Sequence, residues 1–350
     1  MKTVVTTMRN EAPFILEWVA YHRLIGFDNI LVYSNDCDDG TDAMLDRLQE
    51  LGYLAHLRNP RRGKKPVQWT ALKRAENHPY VKHSEWLYVA DCDEFLNIHT
   101  GTGRLDDLIG ACPSADGFLL SWRMFGSGGA VEFEDVPVTR QFTRCAPEAL
   151  VWPWRAVQFK AFYRNDPDRL RLGVHKPQSR SSATDETGLR WHDDNGDRLS
   201  RVMGTVVPKT GPRYGLAQIN HYPLGSLESF IVKADRGKPN HLDQGIGLDY
   251  WMDRDLNEVP DSSIGRHDAA LGTLIEMFMR DEILAGLHLA GVAWRRRRFE
   301  ELILRSEPFY LYSRVLRHLR GSQFDMDTQV RLLNALFRMR RNETLLRGGA

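Results

Sequence analysis

Residues 85–96 read Glu-Trp-Leu-Tyr-Val-Ala-Asp-Cys-Asp-Glu-Phe-Leu. An apolar run of strand length, Trp86 to Ala90, ends in three carboxylates, Asp91, Asp93 and Glu94, within four residues. A run with no polar alternation fits a strand covered on both faces, as in a parallel sheet. Acidic groups at the carboxyl end of such a strand project into the crevice where open α/β sheets bind ligands. Crowded carboxylates repel one another unless a cation lies between them. Hard oxygen ligands favour Mg²⁺ or Mn²⁺, which commonly hold a diphosphate as well. The plainer reading is a turn and helix cap with its carboxylates in water. The strand before the cluster and Phe95-Leu96 after it weigh against that.

The first ~125 residues alternate strand-like and helix-like segments, the signature of a mostly parallel sheet with helices on both faces. Strands are expected at Lys2 to Thr7, Asn29 to Ser34, Tyr53 to Leu57 and Trp86 to Ala90. Helices are expected at Pro13 to Leu24, where Phe14, Ile15, Trp18 and Val19 have helical spacing, at Thr41 to Leu51 and at Val67 to Ala75. Pro13 suits a first turn and Gly52 a helix end. Beyond Gly117, Phe118 to Trp122 reads as a further strand. Residues 165–215 are polar and irregular, a composition suited to a functional loop or lid. From about Ser263 the sequence turns helical, with helices expected at Ala269 to Leu289 and Arg295 to Leu304. The expected division is a catalytic domain over 1–262 and a helical extension over 263–350.

Charge and cysteine usage narrow the function classes. Residues 266–350 carry 15 arginines, no lysine and 10 acidic residues, while the whole chain is only +1. Near-neutral charge argues against a dedicated nucleic-acid binder. No run approaches the ~18 apolar residues that span a bilayer, and Met1 to Thr7 reads as a strand, not a signal peptide. The four cysteines show no Cys-x-x-Cys spacing, so neither zinc nor a disulfide framework is expected, and a cytoplasmic setting fits.

Thr6-Thr7-Met8-Arg9-Asn10-Glu11 follows the first strand. Polar side chains at that place can hydrogen-bond a nucleobase and ribose, and a helix N-terminus favours phosphate. Asn10 acting as a simple helix cap is the alternative. Together Met8-Arg9-Asn10-Glu11, Ser34-Asn35-Asp36-Cys37-Asp38-Asp39-Gly40-Thr41 and Asp91-Cys92-Asp93-Glu94-Phe95 resemble, in order and spacing, a GT-A glycosyltransferase. The similarity is greatest to bacterial family 2-like proteins related to family 92, and it covers about residues 1–240. It implies a nucleotide-diphosphate sugar donor, Mn²⁺ or Mg²⁺, and transfer to a hydroxyl of a saccharide or lipid-linked acceptor. Bacterial surface polysaccharide or glycoconjugate synthesis is the expected setting, with an inverting reaction, or a retaining one in which the diphosphate itself serves as base, as the alternatives.

By the same resemblance Thr7, Arg9 and Glu11 line the nucleoside pocket, Asp36 meets base or ribose, and Lys65 and Gln68 approach ribose or phosphate. Asp91 meets ribose or metal, and Asp93 is the direct metal ligand. His221, in Asn220-His221-Tyr222, takes the place of a late metal-binding histidine, with His175 as its rival. Lys233 and Arg236 neutralise the leaving diphosphate. An inverting transfer needs a general base; Glu132, Glu134, Asp193 and Asp194 are candidates by location, with Asp194 taken first. Trp122, Phe125 and Trp154 are sugar-stacking candidates, though aromatic residues are more often plain core. Trp294-Arg295-Arg296-Arg297-Arg298-Phe299 suits either peripheral contact with an anionic membrane or a helix packed on the catalytic domain. Two rival functions keep the fold. A sugar nucleotidyltransferase usually carries a glycine-rich loop after the first strand, absent from Thr7 to Glu11. A degenerate glycan-binding module would be expected to lose the carboxylates first.

Overall fold

The computed structural model describes the chain apart from residues 62, 64, 65, 182–186, 201, 203, 208–210, 238–245, 322, 323, 349 and 350. Strands β1 (Lys2–Met8), β2 (Asn29–Ser34), β3 (Ala55–Arg58), β4 (Trp86–Val89), β5 (Glu94–Ile98), β6 (Gly117–Met124), β7 (Phe159–Arg164), β8 (Trp191–Asp193) and β9 (Ala217–His221) form one nine-stranded sheet. Its order is β3-β2-β1-β4-β7-β6-β9-β5, with β8 pairing β6. The pairings β1 to β2, β1 to β4, β2 to β3, β6 to β8 and β6 to β9 are parallel. Only β7 and β5 run against the rest, pairing antiparallel with β4 and β6 and with β9.

The absence of polar alternation in these strands has a direct cause. Val4, Ile30, Val32, Trp86 and Tyr88 enter one core with helices α1 (Ile15–Leu24) and α2 (Thr41–Glu50). Their neighbours Val5, Leu31, Tyr33, Leu87 and Val89 enter a second core on the opposite face, against Ala71, Leu72 and Ala75 of α3 (Val67–Ala75). Successive side chains point to opposite faces, so a strand buried on both sides must be apolar throughout.

Helix α4 (Leu227–Arg236) follows β9, and four helices complete the chain: α5 (Asp268–Met279), α6 (Glu282–Leu302), α7 (Ser306–Arg320) and α8 (Met326–Gly348). The helix expected over Ala269 to Leu289 is two helices. Asp281 breaks it by accepting the Leu284 N–H at 2.9 Å as an N-cap, and its carboxylate also holds Arg47 of α2 at 2.6 Å. The extension packs on the sheet domain: Leu302, Val315 and Leu316 share a core with Leu227, Phe230, Ile231 and Trp251. At Gly291 a Cβ would come within 2.5 Å of the Ala12 Cβ, so α6 lies on the turn after β1 only because that residue has no side chain. Among the described residues no helix is long and apolar enough to cross a membrane.

Candidate active site

The site begins where β4 stops. The Asp91–Glu94 turn closes through Glu94 N–H to the Asp91 carbonyl at 3.1 Å, and Trp18 of α1 donates its indole N–H to both Asp91 and Glu94 carbonyls at 3.2 Å. The turn is therefore fixed from below, and its carboxylates stand at the strand ends. Asp91 accepts from Gln68 Nε2 at 3.0 Å and from Lys160 Nζ at 3.1 Å. Lys160, on β7, is fully buried and lies 3.4 Å from the equally buried Glu94. Burial works against ionisation of both acids, but Lys160 more than offsets it at Asp91, whose carboxyl is held below its usual range. At Glu94 burial wins over Lys160, and the carboxyl is pushed up to about 8. Burial likewise opposes the Lys160 charge, yet Asp91 and Glu94 hold its ammonium above the ordinary lysine value. One buried cation thus serves both acids.

Asp93 has its own partners. Lys233 Nζ lies 2.6 Å from its Oδ2, while His221 Nε2 lies 3.6 Å from its Oδ1, beyond a full hydrogen bond. Burial is again overcome, here by Lys233 and His221, and the Asp93 carboxyl sits well below its usual range. Burial lowers the His221 imidazolium despite Asp93 beside it, which leaves a neutral ring with a lone pair to offer. Its Nδ1 is buried with no hydrogen-bond partner. The rival His175 sits across Trp122, its ring 5.5 Å from the indole where His221 is at 4.5 Å. Its Nδ1–H is engaged with the Phe159 carbonyl at 2.8 Å, and burial lowers it to about 4. Among the described residues no cluster of three or more His, Cys, Asp or Glu side chains is gathered for a metal. Asp93 and His221 are the pair at this edge, 3.6 Å apart.

The two motifs after β1 and β2 grip each other. Asn10, at φ +54°, accepts the Asp38 N–H on Oδ1 at 2.8 Å. Asp39 Oδ2 accepts the Ala12 N–H at 2.8 Å, and Thr41 Oγ1 accepts the Glu11 N–H at 2.8 Å. Much of the acidic turn is accordingly a latch. Glu11 is paired with Arg236, and Arg9 donates to the Arg236 carbonyl at 3.0 Å, so the tip of β1 meets α4. Asp36 is exposed and accepts the Arg61 N–H at 3.1 Å. Thr7 is half-buried on β1, two residues past the Val5–Val89 pairing. Lys65 lies outside the described residues, as does part of the 165–215 segment read as a lid.

The base candidates separate. Asp194 is 1 % exposed and faces Arg213, 3.9 Å away. Its carbonyl accepts the Leu216 N–H at 2.8 Å, just before the start of β9, whereas His221 ends that strand. At ~3.3 Å per residue the two ends are roughly 13 Å apart. Asp194 is not brought to the carboxylate edge. Asp193 caps its own turn, accepting the Asn195 and Asp197 N–H groups at 2.9 Å. Glu134 does reach the edge: it lines a cavity with Asp93, Lys233 and Arg236. Of the aromatic candidates Trp122 and Phe125 are buried, and Trp154 is exposed with Arg155 over its ring at 4.5 Å.

Lys160 is the site residue that the sequence reading missed. Its one signal is a lone lysine inside the strand-like Phe159-Lys160-Ala161-Phe162-Tyr163. The arginine run divides between packing and solvent. Arg295 is buried on Ser229, Arg298 holds Asp235 at 2.7 Å, and Arg296 and Arg297 are exposed, Arg297 lying 3.9 Å from Glu301.

A mixed sheet whose β1 tip, Asp-x-Asp turn and late histidine share one edge has the GT-A type of architecture. A profile of glycosyltransferase family 92 matches residues 4–179, half of the chain, and the chain belongs to that family. It is 29% identical over 156 residues to a family 92 glycosyltransferase protein of Oryza sativa subsp. japonica, covering 41% of this chain and 25% of that one. With an Arabidopsis thaliana member it shares 29% over 127 residues, covering 35% and 21%. The chain thus spans a quarter or less of the length of these curated relatives, which are plant proteins. Among solved structures it is similar to S. aureus TarS 1–349 in complex with UDP, at 18% identity and TM-score 0.28 over 47% of this chain and 46% of that one. A Bacillus anthracis glucose-1-phosphate thymidylyltransferase shows 12% identity and TM-score 0.28 over 47% and 72%.

Proposed function

We propose that the chain transfers a sugar from a nucleotide-diphosphate sugar to an acceptor hydroxyl in a metal-dependent reaction. The observation that carries this is Asp93, set at a strand end between His221 and Lys233. Asp93 and His221 would hold Mn²⁺ or Mg²⁺, with Asp91 beside them. Two protein donors suit an ion that takes one or two carboxylates and completes its shell from phosphates and water. When bound, the ion supplies stabilisation of the charge that develops on the leaving diphosphate. Lys233 and Arg236 add fixed positive charge to the same end. Gln68, Thr7, Arg9, Glu11 and Asp36 bind the nucleoside side. Glu134, on the Asp93 cavity, receives the proton of the acceptor hydroxyl in an inverting displacement. The acceptor is a saccharide, free or lipid-linked.

Thermal melts with a panel of nucleotide-diphosphate sugars, with and without Mn²⁺, test the reading, since a ligand bound to the folded state raises Tm by mass action. One donor should raise Tm only when Mn²⁺ is present, and should be slowly hydrolysed to the nucleoside diphosphate. Stabilisation unchanged by EDTA would remove the metal. Release of pyrophosphate from a nucleoside triphosphate and a sugar phosphate would make the chain a nucleotidyltransferase instead.

A further inference from the structure

The cavity beside Asp93 contains a charge that the transfer reaction leaves unused. Arg295 lies on its wall, 5 % exposed, with its guanidinium carbon 4.8 Å from the Phe14 ring centroid and 5.7 Å from that of Phe133. Its Nε donates to Ser229 Oγ at 3.1 Å and its Nη2 to the Ser229 carbonyl at 3.0 Å. Both acceptors are neutral. Among the described residues no carboxylate comes within ion-pair distance of Arg295, whereas Lys233 is paired with Asp93 and Arg236 with Glu11. A buried cation without a counter-ion is costly, and a guanidinium has five N–H donors to satisfy. Its planar fork matches a carboxylate through two parallel hydrogen bonds.

The size of the space agrees. The cavity measures about 40 Å³, room for about three water-sized groups, which is the size of a carboxylate. A sugar ring would remain at the mouth, where Phe133 offers an apolar face and Glu134 stands exposed. Asp93, Lys233, Arg236 and Glu11 share the lining with Arg295, whereas Asp91 and Gln68 do not, so the cavity opens on the Asp93 side of the edge.

We propose that this cavity binds the carboxylate of an acidic sugar, a hexuronate unit of the acceptor, against Arg295. The inference rests on reading the chain as a glycosyltransferase, but its test needs neither transfer nor metal. The full chain is titrated by calorimetry or NMR with methyl β-glucuronide and with methyl β-glucoside, in the absence of nucleotide. The glucuronide should bind at least tenfold more tightly, Arg295→Met should erase the preference, and Arg295→Lys should retain part of it. Equal binding of the two glycosides to the wild-type chain overturns the proposal without recourse to a variant that fails to fold. So does a glucuronide preference that survives Arg295→Met. Displacement of the glucuronide by UDP alone would assign Arg295 to the diphosphate. A preference seen only between UDP-glucuronate and UDP-glucose would assign the carboxylate to the donor. Either result ends the acceptor assignment. Failure of the transfer reading would show separately, as the absence of any nucleotide-sugar stabilisation.

Discussion

The two halves of the sheet domain contribute opposite charges to one edge. Residues up to Ile98 supply the acids: Glu11, Asp91, Asp93 and Glu94. Residues from Phe159 onward supply what compensates them: Lys160 on β7, His221 on β9, and Lys233 and Arg236 on α4. Neither half holds a stable site by itself, because its buried charges have their partners in the other. Below the edge, the Glu17 carboxylate of α1 has no cation for a partner among the described residues and accepts instead from the Val138 and Thr139 N–H groups at 2.7 and 3.0 Å.

Removing an acid should have the largest effect. Asp93→Ala is expected to lower transfer roughly a thousandfold or more while the fold survives, because it deletes the carboxylate 3.6 Å from His221. Full activity in this variant, or wild-type activity in excess EDTA, would show that the edge does not work through a metal. Removing a cation should register in stability instead. Lys160→Met leaves Asp91 and Glu94 without their shared ammonium and should cost about 4 kcal/mol, within the range for breaking a buried pair. Denaturant unfolding checks it, and the loss should shrink toward acidic pH as Asp91 protonates.

Glu17 sharpens the comparison through pH. Burial pushes its carboxyl up to about 7, above the ordinary 4.5, in spite of its three donors. A carboxyl raised in the folded state stabilises fully below the unfolded value, and that contribution is lost as pH rises through the folded one. The wild-type chain should therefore lose about 3 kcal/mol from this group between pH 4.5 and 7. Glu17→Gln should flatten that slope in unfolding curves collected across the range; an unchanged slope would mean the carboxyl ionises freely in the fold. A smaller difference is expected between the histidines. His221→Ala should weaken Mn²⁺ affinity about tenfold more than His175→Ala, in line with losses around metal ligands, and equal titrations would reduce His221 to a packing role. Least of all, Arg297→Gln should change stability by under about 0.5 kcal/mol, since an exposed pair contributes little. Vesicle sedimentation at low and high salt should show no difference from wild type; release of the variant from anionic vesicles would restore a membrane role to the tail.

The acid half was legible in the sequence and the cation half largely was not. Strands β1, β2 and β4 announce themselves because each is short, apolar and buried on both faces, and α1 to α3 carry their own spacing and stop signals. The Asp91–Glu94 turn is legible for the same local reason. Lys160 could be weighed only by knowing that β7 slots antiparallel between β4 and β6, and its partner Asp91 is 69 residues away. Asp194 drew attention as an acid in a polar stretch, but β8 places it inside the sheet against Arg213. Arg295 sits in a run of four arginines that reads as one feature, yet helical geometry turns it inward onto Ser229 and leaves Arg297 outside.

The position of β7 also governs how the polypeptide can emerge from the ribosome. At about 5–20 residues per second, Lys160 is synthesised roughly 3–14 s after Asp91. Lys233 follows Asp93 by 140 residues, about twice as long. Until β7 is made, the side of β4 away from β1 is an unpaired strand edge ending in an acidic turn without the Lys160 charge. Such an edge can pair with another chain, though its like charges discourage self-association. A nascent chain cut short before β7 should for that reason be a client for chaperones and proteases, and the acid half should not be expressible as an autonomous module.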